Sequence, residues 1–405
     1  MKYRRMGNLD WKVSALGFGC MRLPTIKVID EKTNQEKQVI NREYAIQMIR
    51  YAIDNGVNYI DTAFPYHDGE SELVVGQALK DGYREKVKLV TKLPTWLIKN
   101  EGDFDEFLSK QLEKLQTDDV DIYLFHSLGK DLFEVVKKFN LIQKMEGARE
   151  KGLIRHIGFS FHDSLKVFKE IIDFYDWDLA QIQYNYFDVN YQAGIKGLKY
   201  AADKGIAMII MEPLWGGKLT QTFPEAEEII KKASSNRSLA DWAFQFLWNQ
   251  PEVSVVLSGM GELWQVKENI ESANNSAIGL LKDEDIKILS KLRESFSKYI
   301  TIPCTNCEYC MPCPNSVNIP QNIRFLNDFI WFGEDHRERF EAYYTKFLKT
   351  KEQIEEEGSK GGGNASLCID CGECLEKCPQ NIEIPEVLKN VHEILGNKKN
   401  IENFY

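Results

Sequence analysis

Eight of the nine cysteines in this 405-residue chain fall after residue 303, in two tight runs. The first is Cys304-x2-Cys307-x2-Cys310-x2-Cys313-Pro314, and the second is Cys368-x2-Cys371-x2-Cys374-x3-Cys378-Pro379. Three thiolates at successive x2 spacing sit on one short turn that aims all three sulfurs inward, as a cuboidal [4Fe–4S] cluster requires. The fourth cysteine, followed by proline, ordinarily serves the other cluster of a pair. The expected ligand sets are therefore Cys304, Cys307, Cys310 and Cys378 for one cluster, and Cys368, Cys371, Cys374 and Cys313 for the other. Zinc also takes four thiolates, but zinc ribbons use two well-separated pairs rather than four cysteines in one run. Clustering of this kind reads as a metal site in a reducing, cytoplasmic compartment rather than a disulfide scaffold.

A second constellation lies far upstream. Short apolar runs end in Asp61 ("VNYIDTA"), Lys92 ("VKLVTK") and His126 ("VDIYLFH"), with Tyr66 five residues beyond Asp61 in "DTAFPYHDGESE". A lysine closing an apolar run is expensive to bury unpaired, and Asp61 is the evident partner. A phenol is a poor acid at neutral pH, but a neighbouring ammonium stabilises the phenolate and makes it a better one. Such a tyrosine could protonate an oxyanion forming on a carbonyl, with the imidazole donating a hydrogen bond to the same oxygen. That chemistry suits carbonyl reduction by hydride.

These residues must be positioned by the elements that carry them. Eight β-rich runs appear, at 13–19, 57–63, 87–92, 120–126, 154–160, 180–185, 206–213 and 253–259. Longer stretches of helical spacing separate them. In "REYAIQMIRYAIDNG", Ala45, Met48, Ile49 and Ala52 fall at i, i+3, i+4 and i+7, and Gly56 suits the stop. Eight strand–helix units over about 280 residues predict a (β/α)8 TIM barrel, whose chemistry sits at the C-terminal strand ends. An open doubly wound sheet is the alternative, though no G-x-G-x-x-G follows the first strand. The expected division is a barrel over 1–295 and a smaller α-helical domain over 296–405, with "GSKGGGNAS" (358–366) as a flexible hinge.

Composition narrows the partners. With 43% hydrophobic and 28% charged residues and a net charge of −10, the chain reads as globular and poorly suited to nucleic acid. It shows no run of 18 apolar residues, so no membrane span is expected, and its first residues lack the apolar core of a secretory leader. Cys20, outside both runs, reads as a small buried filler.

The pieces "MKYRRMGNLDWKVSALGFGCMRL", "GVNYIDTAFPYHDGESELVVGQAL", "LVTKLP", "DIYLFHS", "IRHIGFS", "QIQYN" and "VKENI" resemble the aldo-keto reductase family over residues 1 to about 295. The tail resembles the ferredoxin-like iron–sulfur extension of one branch of that family. Its x2 final spacing and the more than 50 residues between the runs look like a helical ferredoxin rather than the compact β type. The resemblance implies that Tyr66 is the proton donor, that Lys92 and Asp61 tune it, and that His126 orients the carbonyl. It also implies NADP or NAD held across the barrel mouth. Carboxamide contacts would map to Ser160, Gln183 and Asn185, and the adenosine end to Ser258, Glu268 and Asn269. Phe161 and Met211 replace an Asn and an aromatic usual in the family, with Trp215 a candidate stacking substitute; the Arg that often grips a 2′-phosphate is missing from "SGMGELWQVKEN", where Lys267 is a weak candidate for that role. The expected activity is NAD(P)H-dependent reduction of a small-molecule aldehyde or ketone. Because hydride moves two electrons and each cluster passes one, an electron-transfer protein with a redox partner protein is the alternative.

Overall fold

The computed structural model describes residues 1–29, 36–233, 235–298, 301–357 and 362–404. Residues 358–361 of the expected hinge lie outside the described residues. The chain divides into two compact units. One comprises Met1–Trp215 with Ala233–Lys287, the other Gly216–Lys232 with Ile288–Tyr405.

The first unit is a closed barrel of eight parallel strands. They are β1 (Leu16–Gly19), β2 (Tyr59–Asp61), β3 (Lys88–Leu93), β4 (Val120–Leu128), β5 (Ile154–Phe161), β6 (Leu179–Gln183), β7 (Ala207–Met211) and β8 (Val253–Gly259). Each pairs with its neighbour in chain order, and β8 closes on β1, so the predicted TIM barrel is the observed fold.

Alternation along each strand decides what lies inside. Tyr59, Val90, Ile122, Leu124, Ile209 and Val255 form an interior apolar layer. Their sequence neighbours Ile60, Leu89, Tyr123, Ile210 and Val256 join the separate layer beneath the helices. Period-two geometry then puts the next inward positions at the strand ends. Two residues beyond Tyr59, Val90 and Leu124 come Asp61, Lys92 and His126.

Helix α1 (Arg42–Asp54) buries the predicted face, Ala45, Met48, Ile49 and Ala52. Asn41 caps it, its side chain accepting from the Tyr44 N–H at 3.3 Å, a contact worth about 1 kcal/mol. Gly56 ends it at φ +92°, where a side chain would be strained. Helix α2 (Ser71–Ala78) and helix α3 (Gly102–Leu115) cover the barrel over β2 and β3.

Two antiparallel hairpins were not expected. Tyr3–Met6 pairs with Leu9–Ser14, so the run at 13–19 is divided between that hairpin and β1. Met6 and Val13 add to the interior barrel layer. The second hairpin, Thr25–Ile29 with Glu36–Ile40, leaves Ile26 and Ile29 exposed, so it lacks the one-sided burial from which strands are read.

The second unit has its own core around Ile319, Phe325, Phe329, Phe340, Tyr344 and Leu388. Its helices include Ile319–Phe332, Arg337–Phe347 and Ile384–Val391. The chain enters it early: the Phe223 ring packs edge-on against Phe296 and Trp331, at 5.1 and 4.7 Å. That contact, between residues more than 70 positions apart, is why a single boundary near 295 differs from the observed division.

Candidate active site

Lys92, 1% exposed, stands at the end of β3 with three acceptors around its Nζ. It donates to Asp61 Oδ1 at 2.7 Å, to the Thr62 carbonyl at 2.8 Å and to Tyr66 Oη at 3.3 Å. All three ammonium protons thus have partners, which is what makes burying the charge tolerable. Tyr66 is only 8% exposed and begins a short turn, Tyr66–Gly69, with His67 and Asp68 at positive φ. The Thr62 and Ser71 hydroxyls lie 2.9 Å apart, and Ser71 donates to the Cys20 carbonyl at 3.0 Å. These bonds fasten the Tyr66 loop to the end of β1.

His126 closes the group from β4, its ring edge-on to Tyr66 at 6.0 Å. Burial first, then the Lys92 and His162 charges, hold its pKa well below the ordinary imidazole value. At neutral pH it is therefore an uncharged hydrogen-bonding group. Burial raises the Asp61 carboxyl, and the Lys92 ammonium beside it opposes that rise. The four residues that the sequence singled out are thus one contiguous cluster.

Behind Lys92 lies a buried polar network that sequence reasoning missed. Glu72 of α2 accepts from Thr91 at 2.7 Å and from Gln111 of α3 at 2.6 Å. Gln111 also donates to the Lys92 carbonyl at 3.0 Å and accepts from Tyr123 at 2.7 Å. Burial pushes the Glu72 carboxyl up. The network ties the β3 terminus to both covering helices. Trp96, 41% exposed in the loop after β3, sets its ring 5.1 Å from that of His126. An aromatic two residues past the strand-ending "LP" was its only sequence signal.

The residues assigned to the dinucleotide divide. Ser160 and Gln183 are buried at the ends of β5 and β6, and Ser160 Oγ accepts from the Ser127 N–H at 2.8 Å. They are polar groups in the inward register, which fits a bound carboxamide. Asn185 is committed to the chain itself, donating to the Glu212 carbonyl at 3.0 Å and accepting from the Phe187 and Asp188 N–H groups. Asn269 donates to Ser258 at 3.1 Å, and Glu268 is half-buried beside it on Leu263–Asn274. Lys267 is exposed, its ammonium 5.6 Å from the Tyr51 ring. Met211 is half-buried at the end of β7, while Trp215 is buried against Phe187.

Local contacts account for several other side chains. His67 Nε2 accepts from the Leu23 N–H at 3.0 Å, which ties the Tyr66 turn to the segment after β1. His162 is half-buried beside Gln192, its pKa lowered to about 4 by burial. Cys20 is fully buried, and burial pushes its thiol up. At Gly216, φ +66°, a Cβ would meet the Thr305 carbonyl oxygen at 2.6 Å, so only glycine fits this close backbone approach.

In the second unit, Cys310 lies within electrostatic reach of Cys307, Cys304 and Cys378. Cys374 is likewise close to Cys368, Cys313 and Cys371. A hollow is lined by Cys313, Cys368, Cys371 and Cys374 together with Ile319 and Leu388. Burial and like-charged neighbours push Cys374 up to about 11. Such thiols ionise when a cation shares the site, so this donor set fits an iron–sulfur group. Among the described residues, no three Cys, His, Asp or Glu side chains are gathered for a single metal ion.

Barrel, rim and cysteine loops together define the class, an NAD(P)H-dependent oxidoreductase barrel joined to a 4Fe-4S domain. The Aldo/keto reductase family model matches residues 15–294, and a 4Fe-4S dicluster domain matches 303–383. The chain belongs to the aldo/keto reductase family. It is 27% identical over 323 residues to an uncharacterized oxidoreductase, YqkF, of Bacillus subtilis, covering 71% of this chain and 95% of that one. It is 25% identical to the NADH-specific methylglyoxal reductase of Escherichia coli, over 64% of this chain and 90% of the relative. The structure of aldo-keto reductase AKR11C1 from Bacillus halodurans in its holo form superposes with a TM-score of 0.58 at 25% identity, covering 72% and 96% of the two chains. No helix among the described residues is long and apolar enough to cross a membrane.

Proposed function

We propose that this chain reduces the carbonyl of a small aldehyde or ketone to an alcohol with NAD(P)H, and that its second unit carries two [4Fe–4S] clusters. The observation that carries the first part is the position of Lys92 Nζ, 3.3 Å from Tyr66 Oη and 2.7 Å from Asp61. The nicotinamide, when bound, supplies the hydride. Tyr66 gives its proton to the carbonyl oxygen as negative charge gathers there, and the Lys92 ammonium stabilises the phenolate left behind. Asp61 keeps that ammonium charged in a buried site. His126, neutral, donates a hydrogen bond to the same substrate oxygen. Ser160 and Gln183 would hold the carboxamide of the bound dinucleotide, and Ser258, Glu268 and Asn269 its adenosine end. Trp96 flanks the apolar part of the substrate.

In this reading residues 1–295 carry the carbonyl chemistry and 296–405 the clusters, in a reducing, cytoplasmic setting. Cys304, Cys307, Cys310 and Cys378 hold one cluster, and Cys368, Cys371, Cys374 and Cys313 the other. A second reading, one-electron exchange between the clusters and a redox partner protein, is favoured by the exposure of Cys371.

Anaerobic titration with NADH and NADPH tests both, with cluster absorbance followed before and after adding a panel of carbonyls. Carbonyl-dependent loss of reduced dinucleotide with unchanged clusters supports the reductase. Bleaching of the clusters by dinucleotide alone supports the second reading.

A further inference from the structure

We infer that the loop around Cys371 is the docking surface for a small one-electron carrier protein with a basic rim and an apolar centre. This rests on the cluster reading above and names the surface and the partner chemistry that it leaves open.

The two cysteine sets are not equally accessible. Cys304, Cys307, Cys310 and Cys378 are all half-buried, whereas Cys371 of the other set is exposed. The first run is held down at its start. Asn327 accepts from the Ile302 N–H at 3.1 Å and donates to the Ile302 carbonyl at 2.9 Å, and Thr305 is buried. The loop from Cys368 to Lys377 is open instead: Ile369, Asp370, Cys371, Glu373, Leu375, Glu376 and Lys377 are all exposed.

Two apolar side chains flank the exposed ligand. Ile369 is 68% exposed, the highest value for a large apolar side chain among the described residues, and Leu375 is 37% exposed. Single exposed hydrophobics are ordinary on protein surfaces. Here one lies between two proposed cluster ligands and another directly follows a third, so apolar contact would form beside the exposed ligand Cys371. Small, weakly buried contacts of this kind typify transient redox encounters.

The charge around this centre is predominantly negative. Asp370, Glu373 and Glu376 face a single cation, Lys377, which stands 4.0 Å from Glu373. Cluster-bound thiolates add further negative charge. A partner presenting lysines or arginines around its own redox group would be steered to this loop, and salt would screen that attraction. An acidic carrier would be repelled.

The test uses the anaerobically reconstituted holoprotein, reduced with dithionite and freed of excess reductant. It is mixed by stopped flow with the basic haem protein cytochrome c, and separately with the acidic haem protein cytochrome b5. One electron leaves the reduced cluster for ferric haem, which becomes ferrous, and no bond or proton changes place. Exchange with cytochrome c should be the faster and should slow about tenfold between low and high ionic strength. Both Ile369→Ser/Leu375→Ser and Glu373→Lys/Glu376→Lys should lower its second-order rate constant about tenfold. Iron content, cluster EPR and NADPH-dependent carbonyl reduction should be unchanged in both variants.

Wild-type exchange rates in both variants with EPR intact, or a rate indifferent to salt, would overturn the proposal. So would a concentration-dependent dimer in sedimentation that Ile369→Ser/Leu375→Ser dissolves, since the patch would then serve a second copy of this chain. A wild-type protein that binds no iron would instead overturn the cluster reading itself, leaving a result distinct from either.

Discussion

Lys92 reaches Tyr66 from the neighbouring strand, its Nζ 3.3 Å from the phenol oxygen, while the same nitrogen holds Asp61. The pair joins a strand terminus to a loop, so Tyr66 is held by Lys92 on one side and, through its loop, by the Thr62–Ser71–Cys20 hydrogen bonds on the other. Tyr66→Phe keeps the ring and removes the hydroxyl, and with it the transferable proton and one acceptor for Lys92. Carbonyl reduction should fall by about 10²–10⁴-fold, with dinucleotide affinity, read by fluorescence titration, nearly unchanged. Turnover at the wild-type rate would remove Tyr66 from the mechanism.

Asp61 and Lys92 are both almost fully buried. Lys92→Met leaves an uncompensated carboxylate and should destabilise the fold by about 3–5 kcal/mol in urea unfolding. Adding Asp61→Asn to that variant should recover much of the loss without recovering activity. A double variant no more stable than Lys92→Met would show that the pair is not coupled.

His162 has its pKa lowered to about 4 by burial. Below its unfolded pKa, near 6.5, the unfolded chain binds the proton and the folded chain does not. Its contribution therefore falls as pH drops from 6.5 to about 4, by about 1.4 kcal/mol per unit at most. His162→Gln should flatten the stability–pH profile across that window relative to wild type. Parallel profiles for the two proteins would count against the assigned shift. His126, displaced in the same direction, contributes with the same sign.

The Glu72 network predicts an effect at a distance from substrate. Thr91→Val removes the hydroxyl that donates to Glu72 at 2.7 Å, leaving a buried carboxylate short of a partner. The expected cost is about 1–3 kcal/mol, measured by thermal or urea unfolding. A change within experimental error would mean that the network repacks around Gln111.

The cysteine sets make a pairing prediction. Cys378→Ser should abolish the same EPR signal as Cys304→Ser, and Cys313→Ser the same signal as Cys368→Ser. Each should lower iron content by about one cluster's worth. Loss of one common signal from Cys378→Ser and Cys368→Ser would reverse the assignment.

Much of this was legible in the sequence for a physical reason. Asp61, Lys92 and His126 lie at or near strand ends, one alternation step beyond the inward Tyr59, Val90 and Leu124, so their register follows from those residues. The cysteine runs are as plain, because their spacing is local. What escaped depends on contacts between distant residues or on side chains turned to the backbone. Nothing in "HDG" announces that His67 accepts from Leu23, or in "QYN" that Asn185 holds the Glu212 carbonyl. The hairpin at Thr25–Ile40 was invisible because its apolar residues face water rather than a core.

The excursion of Gly216–Lys232 gives the architecture a practical consequence. The polypeptide passes between its two units at three places rather than one. Cutting the gene after residue 295 would therefore not yield a clean reductase. It would strip Phe223 of Trp331 and Lys218 of the Ile302 carbonyl, leaving an orphaned aromatic flap rooted at the end of β7. A graft of the iron-binding module onto another barrel would have to transplant that flap as well.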